Sequence, residues 1–180
     1  MELSETPIKG LLILKPQIFN DARGSFFESY NENRFWTLGI MEKFVQDNQS
    51  VSQKGVIRGL HYQQPPFAQA KLVRVIKGAA LDVAVDIRKN SPTYGQHFSI
   101  LLTGENNVQF YIPAGFAHGF ATLEDDTIFT YKCSNFYNKN SEGSIIYNDP
   151  ILNIDWQINI PIVNDKDREA LSFADFVSPF

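Results

Sequence analysis

One cysteine, Cys133, in 180 residues leaves no internal disulfide to form and fits a reducing compartment. Long apolar runs are missing too. No window approaches the ~20 apolar residues of a membrane span. Glu2 and Glu5 precede any apolar run, and Leu11 to Leu14 is too short for a signal core. The expectation is a soluble cytoplasmic protein. Basic excess is absent: 16 Lys and Arg stand against 20 Asp and Glu, a net charge of −4, which argues against nucleic acid as a partner. A phosphate-bearing small molecule stays open, because a few local arginines suffice for one. There is no repeat and no low-complexity tract. With 43% hydrophobic residues and 15 Phe, the chain can build an ordinary core without metals, and disorder is excluded. The length suits one domain over residues 1–180.

Helical periodicity is scarce, and the dominant period is two. In Ala80 to Arg88, Leu81, Val83, Val85 and Ile87 fall on one face and Asp82, Asp86 and Arg88 on the other. Further strand-like runs cover 24–30, 43–52, 70–77, 96–103, 108–112, 117–122 and 127–134, separated by turn chemistry at Lys77-Gly78, Ser91-Pro92, Gly104 to Asn107 and Glu124 to Asp126. Strands this short and evenly spaced predict an all-β antiparallel sandwich or barrel. Two short helices are expected: one over Asn31 to Gly39, capped by Asn31, and one after Pro161, capped by Asn164.

Five stretches carry chemistry. In Gly55 to Gln64, Arg58 and His61 flank Gly59, whose presence in a strand suggests a bulge or close backbone approach that re-aims its neighbours. A sheet-rim arginine with a hydrogen-bonded core histidine is the plainer alternative. In Gln69 to Gly78, alternation puts Lys71 with Val73 and Val75, and Arg74 with Leu72 and Ile76, so one cation lies beside aliphatic neighbours. Inside a sandwich that is costly unless a carboxylate or anion is also there; otherwise the stem snorkels to the rim. Pro113-x-Gly115-x-x-His118 before a β run resembles the second motif of the cupin jelly rolls. The His-x-His pair of metal-binding cupins is missing, because the three histidines are His61, His97 and His118. One inward histidine makes a poor site for metals that need about three protein ligands. Tyr131 shares a face with Phe129 and Cys133, which turns its ring inward with a hydroxyl in need of a partner. Asn164 to Glu169 reads by itself as a solvated charged turn.

Together these segments carry a resemblance. Arg23 to Glu28, Val45 to Asn48, Ile57 to Gln63, Gln69 to Val75, Asp82 to Ile87, Ser91 to Thr93, Ile112 to Phe120, Tyr131 to Cys133, Asn148 to Pro150, Ile154 to Trp156 and Lys166-Asp167 occur in the order seen in the dTDP-4-dehydrorhamnose 3,5-epimerase family. Departures fall at Tyr147-Asn148, Gln157 and Ala170-Leu171, away from the residues that would move protons.

The resemblance implies a cupin-type jelly roll. It also implies epimerisation at C3 and C5 of a dTDP-4-keto-6-deoxy sugar, with no cofactor and no metal. Carried over position by position, His61 is the general base and Asp167 orients it. Tyr131 is the acid on the opposite face, and Lys71 stabilises the enolate oxygen with His118 nearby. Arg58 and Arg23 hold the pyrophosphate, Glu28, Gln46 and Asn48 contact the nucleoside, and Phe26 and Tyr137 flank the thymine. The family is homodimeric, with roughly residues 1–50 serving the partner's site. Three other readings stand beside this one: an epimerase acting at C3 or C5 alone, a metal-dependent cupin, and a sugar-binding module without activity.

Overall fold

Thirteen strands and two short helices make up the computed structural model, which describes residues 1–180. In chain order the strands are β1 Glu2–Glu5, β2 Leu12–Lys15, β3 Phe19–Asp21, β4 Gly24–Phe26, β5 Gln46–Ser52, β6 Ile57–Gln63 and β7 Lys71–Lys77. They continue with β8 Ala79–Asp86, β9 His97–Thr103, β10 Gln109–Ile112, β11 Phe116–Thr122, β12 Thr127–Cys133 and β13 Glu142–Ser144. The helices are α1 Glu32–Thr37 and α2 Asp165–Arg168. All pairings between named strands are antiparallel. A six-stranded sheet runs β1-β2-β10-β7-β12-β5, a five-stranded sheet runs β13-β6-β11-β8-β9, and β3 and β4 form a separate hairpin.

The period-two pattern sends alternate side chains to opposite faces, and each face finds its own cover. Between the two sheets lie Val73 and Val75 of β7, Phe110 and Ile112 of β10, Phe129 of β12, Ala80 and Ala84 of β8, and Phe116 and Phe120 of β11. Leu81, Val83 and Val85 of β8 point the other way, where Leu152, Trp156, Val163 and Phe176 from the C-terminal segment cover them. Leu14, Leu72 and Tyr111 on the outer face of the six-stranded sheet pack against Phe35 of α1 and Ile40. Being covered on both faces makes every residue of β8 buried, Asp82 and Asp86 included. The polar face read from alternation is therefore an interior face.

Both helix caps lie where the residue types suggest. Asn31 Oδ1 accepts from the Arg34 N–H at 3.2 Å, and Asn164 Oδ1 accepts from the Asp167 N–H at 2.7 Å. The run read as a strand over 24–30 is strand only to Phe26, because the chain turns away there to reach the α1 cap. Likewise the run from 43 begins pairing only at Gln46. β1, β2, β3 and β13 have no counterpart in the alternation reading, each being only three or four residues long.

Candidate active site

A cleft with a cavity volume of about 500 Å³ opens between the two sheets. His61, Arg58 and His118 line it from the five-stranded sheet, Lys71, Asn48 and Tyr131 from the six-stranded sheet, and Asp167 from α2. An adjoining recess adds Gln46 and Tyr137.

Strict alternation would put residues 58 and 61 on opposite faces of β6. Gly59 prevents that. Opposite β11, His61 pairs with His118 and Arg58 with Phe120, so β6 spends one extra residue and its side-chain parity flips. Both Arg58 and His61 then face the cleft. Gly59 has φ +142, and a Cβ there would stand 2.5 Å from Gly119 Cα, so only glycine fits.

His61 Nε2 lies 2.6 Å from Asp167 Oδ1, while Asp167 Oδ2 accepts the Gly59 N–H at 3.1 Å. The bulge thus re-aims the histidine and also anchors its carboxylate. Asp167 is fully buried, so the charged turn expected from sequence is half wrong: its neighbours are exposed and it is not. Burial pushes the Asp167 carboxyl up, but hydrogen bonding and charge from His61, the Gly59 N–H and Lys166 outweigh it and hold the group below its ordinary range. An anionic Asp167 accepting from Nε2–H leaves Nδ1 as the free basic nitrogen of His61.

The cation inside the sandwich is Lys71. Its neighbours Val73 and Val75 belong to the inter-sheet core, whereas Arg74 lies outside with its guanidinium 5.4 Å from the Phe27 ring. Lys71 forms no ion pair, and its Nζ is 5.7 Å from the Tyr131 ring centroid. Burial lowers its pKa, with Cys133, Asp82 and Glu142 opposing. Tyr131 is held above the ordinary phenol range by burial and by Cys133, against the pull of Asn48 and Arg58, so its hydroxyl keeps its proton at neutral pH.

Polar side chains alternate inward along β5 at Gln46, Asn48, Ser50 and Ser52. Gln46 Oε1 accepts the Tyr137 N–H at 2.9 Å and its amide donates to Asn48 at 3.1 Å. Arg58 reaches Ser52 Oγ at 3.4 Å and makes no ion pair, so its guanidinium is free for a ligand.

Three expected residues stay away from the cleft. Arg23 bonds Asp21 in the β3–β4 hairpin, where Phe26 is 72% exposed, and Glu28 pairs with Arg34 and Asn31 beside α1. Sequence reasoning missed Glu142, which lines the cleft, and Asp82, which lies buried behind His118. Glu142 accepts from Tyr137 Oη at 3.0 Å and pairs with Lys166 at 2.6 Å, tying the β12–β13 loop to α2. Its strand is too short to show a period. Asp82 bonds His118, and the signal for it was present: a carboxylate sharing a strand face with Ala80 and Ala84, small residues that leave room inside. No group of three His, Cys, Asp or Glu side chains converges as a metal ligand set would.

Comparison with known proteins gives a consistent result. The family described as dTDP-4-dehydrorhamnose 3,5-epimerase matches residues 5–175. A protein of that name from Shigella flexneri is 48% identical over 97% of both chains. The dTDP-6-deoxy-D-glucose-3,5-epimerase of Legionella pneumophila Philadelphia 1, solved in complex with dTDP-4-keto-L-rhamnose, is 48% identical, with a TM-score of 0.94 over 98% of this chain and 94% of that one. A 3'-monoepimerase from Streptomyces bikiniensis, solved in complex with dTDP-quinovose, is 35% identical, with a TM-score of 0.88 over 94% and 86% of the two chains. An antiparallel two-sheet jelly roll, a cleft lined from both sheets and identity of this extent over nearly the whole length lead to one assignment: the chain belongs to the dTDP-4-dehydrorhamnose 3,5-epimerase family.

Proposed function

We propose that the protein epimerises C3 and C5 of dTDP-4-dehydro-6-deoxy-D-glucose to give dTDP-4-dehydro-L-rhamnose, a step of dTDP-rhamnose biosynthesis. The C4 ketone acidifies the hydrogens on both adjacent carbons. Inverting either carbon takes a proton off one face and returns one to the other. The observation that carries the reading is that His61 and Tyr131 line one cleft from opposite sheets, with Lys71 beside Tyr131. A base and an acid on facing walls is the arrangement that inversion requires.

In this reading His61, held by Asp167, removes the proton through its free ring nitrogen, a contribution of ~10²–10⁴-fold. Lys71 stabilises the charge that develops on O4, and a preorganised donor there is worth ~3–4 kcal/mol. Tyr131, still protonated, donates from the other side. Arg58 takes the diphosphate, Gln46 and Asn48 the nucleoside, and Tyr137 one face of the thymine. None of these steps is a redox step, so the residues need no cofactor.

Arg23, Phe26 and Glu28 complete the site in a homodimer, each chain of one domain lending residues 1–50 to its partner. The exposure of Phe26 on a hairpin that packs on neither core supports this: an aromatic so placed gains by covering another chain's ligand. No helix is long and apolar enough to cross a membrane, and we place the reaction in the cytoplasm.

Incubating the 4-keto sugar nucleotide with the protein in D₂O, followed by NMR, tests the reading. Deuterium at both C3 and C5 is expected. Label at one carbon would make the protein a mono-epimerase like its Streptomyces bikiniensis neighbour, and label at neither would leave a binding module.

A further inference from the structure

The cleft contains a second histidine–aspartate pair. His118 Nε2 lies 2.8 Å from Asp82 Oδ2, and both side chains are buried. His118 is the cross-strand neighbour of His61, and Asp82 lies on β8, on the far side of β11 from β6. Asp82 Oδ1 is buried without any hydrogen-bond partner. A carboxylate oxygen in that position costs stability, and its retention calls for an explanation. His118 Nδ1 makes no hydrogen bond within the chain, yet it is not among the sealed, unpartnered atoms, so it retains access to the cleft that the ring lines.

We propose that Asp82 is a positioning residue, which fixes His118 as the Nε2–H tautomer so that Nδ1 meets the substrate as a hydrogen-bond acceptor beside the Lys71 cation. The inference rests on the epimerase reading for the identity of the ligand. A carboxylate can only accept, so the ring nitrogen facing Asp82 carries the proton. Burial and the charge of Lys71 hold His118 below the ordinary histidine range, with Asp82 opposing, so the ring is neutral and its second nitrogen has a lone pair. The floor of the cleft is then a cationic donor next to a neutral acceptor. That pairing suits a ketone flanked by a hydroxyl: the carbonyl oxygen takes Lys71, and the adjacent hydroxyl donates to His118. The family resemblance sets His118 near the enolate oxygen; in this tautomer it cannot donate to that oxygen and instead selects the neighbouring hydroxyl.

Nitrogen-15 NMR of the histidine-labelled wild-type protein reads the tautomer directly, and with only His61, His97 and His118 in the chain a His118→Gln variant assigns the signal. A protonated Nε2 and unprotonated Nδ1 are expected for His118. The reverse tautomer, or a doubly protonated ring at neutral pH, overturns the proposal without recourse to any Asp82 variant. In Asp82→Asn, whose amide can donate to Nε2, the tautomer should reverse. The expected loss in kcat is ~10²-fold, with Asp82→Glu recovering part of it. A substrate lacking the hydroxyl beside the ketone should react ~10–10²-fold more slowly than the full substrate with wild type, whereas Asp82→Asn should turn over the two at nearly equal rates. Equal discrimination by both proteins contradicts the acceptor role. Absence of deuterium exchange by wild type would refute the epimerase reading, while the NMR result would still decide the tautomer.

Discussion

His61 and His118 face each other across adjacent strands, and each offers Nε2 to an aspartate, yet the two pairs are built for different ends. The His61 side chain is 29% exposed and its aspartate is tied down by the Gly59 N–H; the His118 side chain is 6% exposed and its aspartate has an oxygen with no partner. One pair is open to solvent as well as to substrate. The other is walled in by Phe120 and Phe129, whose rings stack at 3.9 Å, and by the charge of Lys71. The lesson is that the same two residue types become a base or a fixed polar contact according to the cost of charging them where they stand.

His61→Ala should break the comparison most severely. Turnover should drop by roughly 10²–10⁴-fold while dTDP still binds, because the nucleotide contacts lie elsewhere. Near-normal deuterium incorporation by this variant would remove His61 as the base. The effect on stability should be smaller than that of losing His118, because the buried Asp167 keeps the Gly59 N–H as a partner.

His118→Ala should do its damage to folding. It leaves Asp82 as an uncompensated buried charge, and a loss of about 3 kcal/mol in urea unfolding is expected. A variant as stable as wild type would mean that Asp82 does not depend on His118 for its place in the fold.

The smallest effect separates the pairs by pH. His118 has a folded pKa below its unfolded value, so at pH below about 6.5 the unfolded chain binds more protons and stability declines as pH falls. Asp167, also depressed, contributes stability that is present above about pH 4 and is lost below it. Asp86, held at about 2 by Arg88, Ser91 and Thr93 against the opposing effect of burial, loses its contribution in the same acid range as pH falls toward 2. Urea midpoints measured from pH 8 to 5 should fall in wild type. The slope should be flatter in His118→Gln; an unchanged slope would place the titration elsewhere.

Local rules made much of this legible. Asn31 and Asn164 announce helix starts because an N-cap depends on residues three positions apart, and the eight-residue β8 shows its period because it is long enough to have one. Gly59 signalled a bulge, and Lys71 was already one of two candidates for a buried cation. Four strands of three or four residues were invisible, since their pairing is set by partners far along the chain. Local pattern did not show that Asp82 and Asp167 meet histidines, because those contacts span 36 and 106 residues; the pairing of Asp167 with His61 was expected only through the family resemblance.

By itself the chain determined its class: an interrupted period of two, little helix, a core rich in phenylalanine and an ordered set of segments shared with one family. Which face of each strand met water, which of Lys71 and Arg74 entered the cleft and which histidine stayed open to solvent were decided only by tertiary structure. Alternation sorts side chains into two sets. Only the packing of sheet on sheet, with the C-terminal segment over one outer face and α1 over the other, says where water ends, and the cost of a charge depends on that boundary.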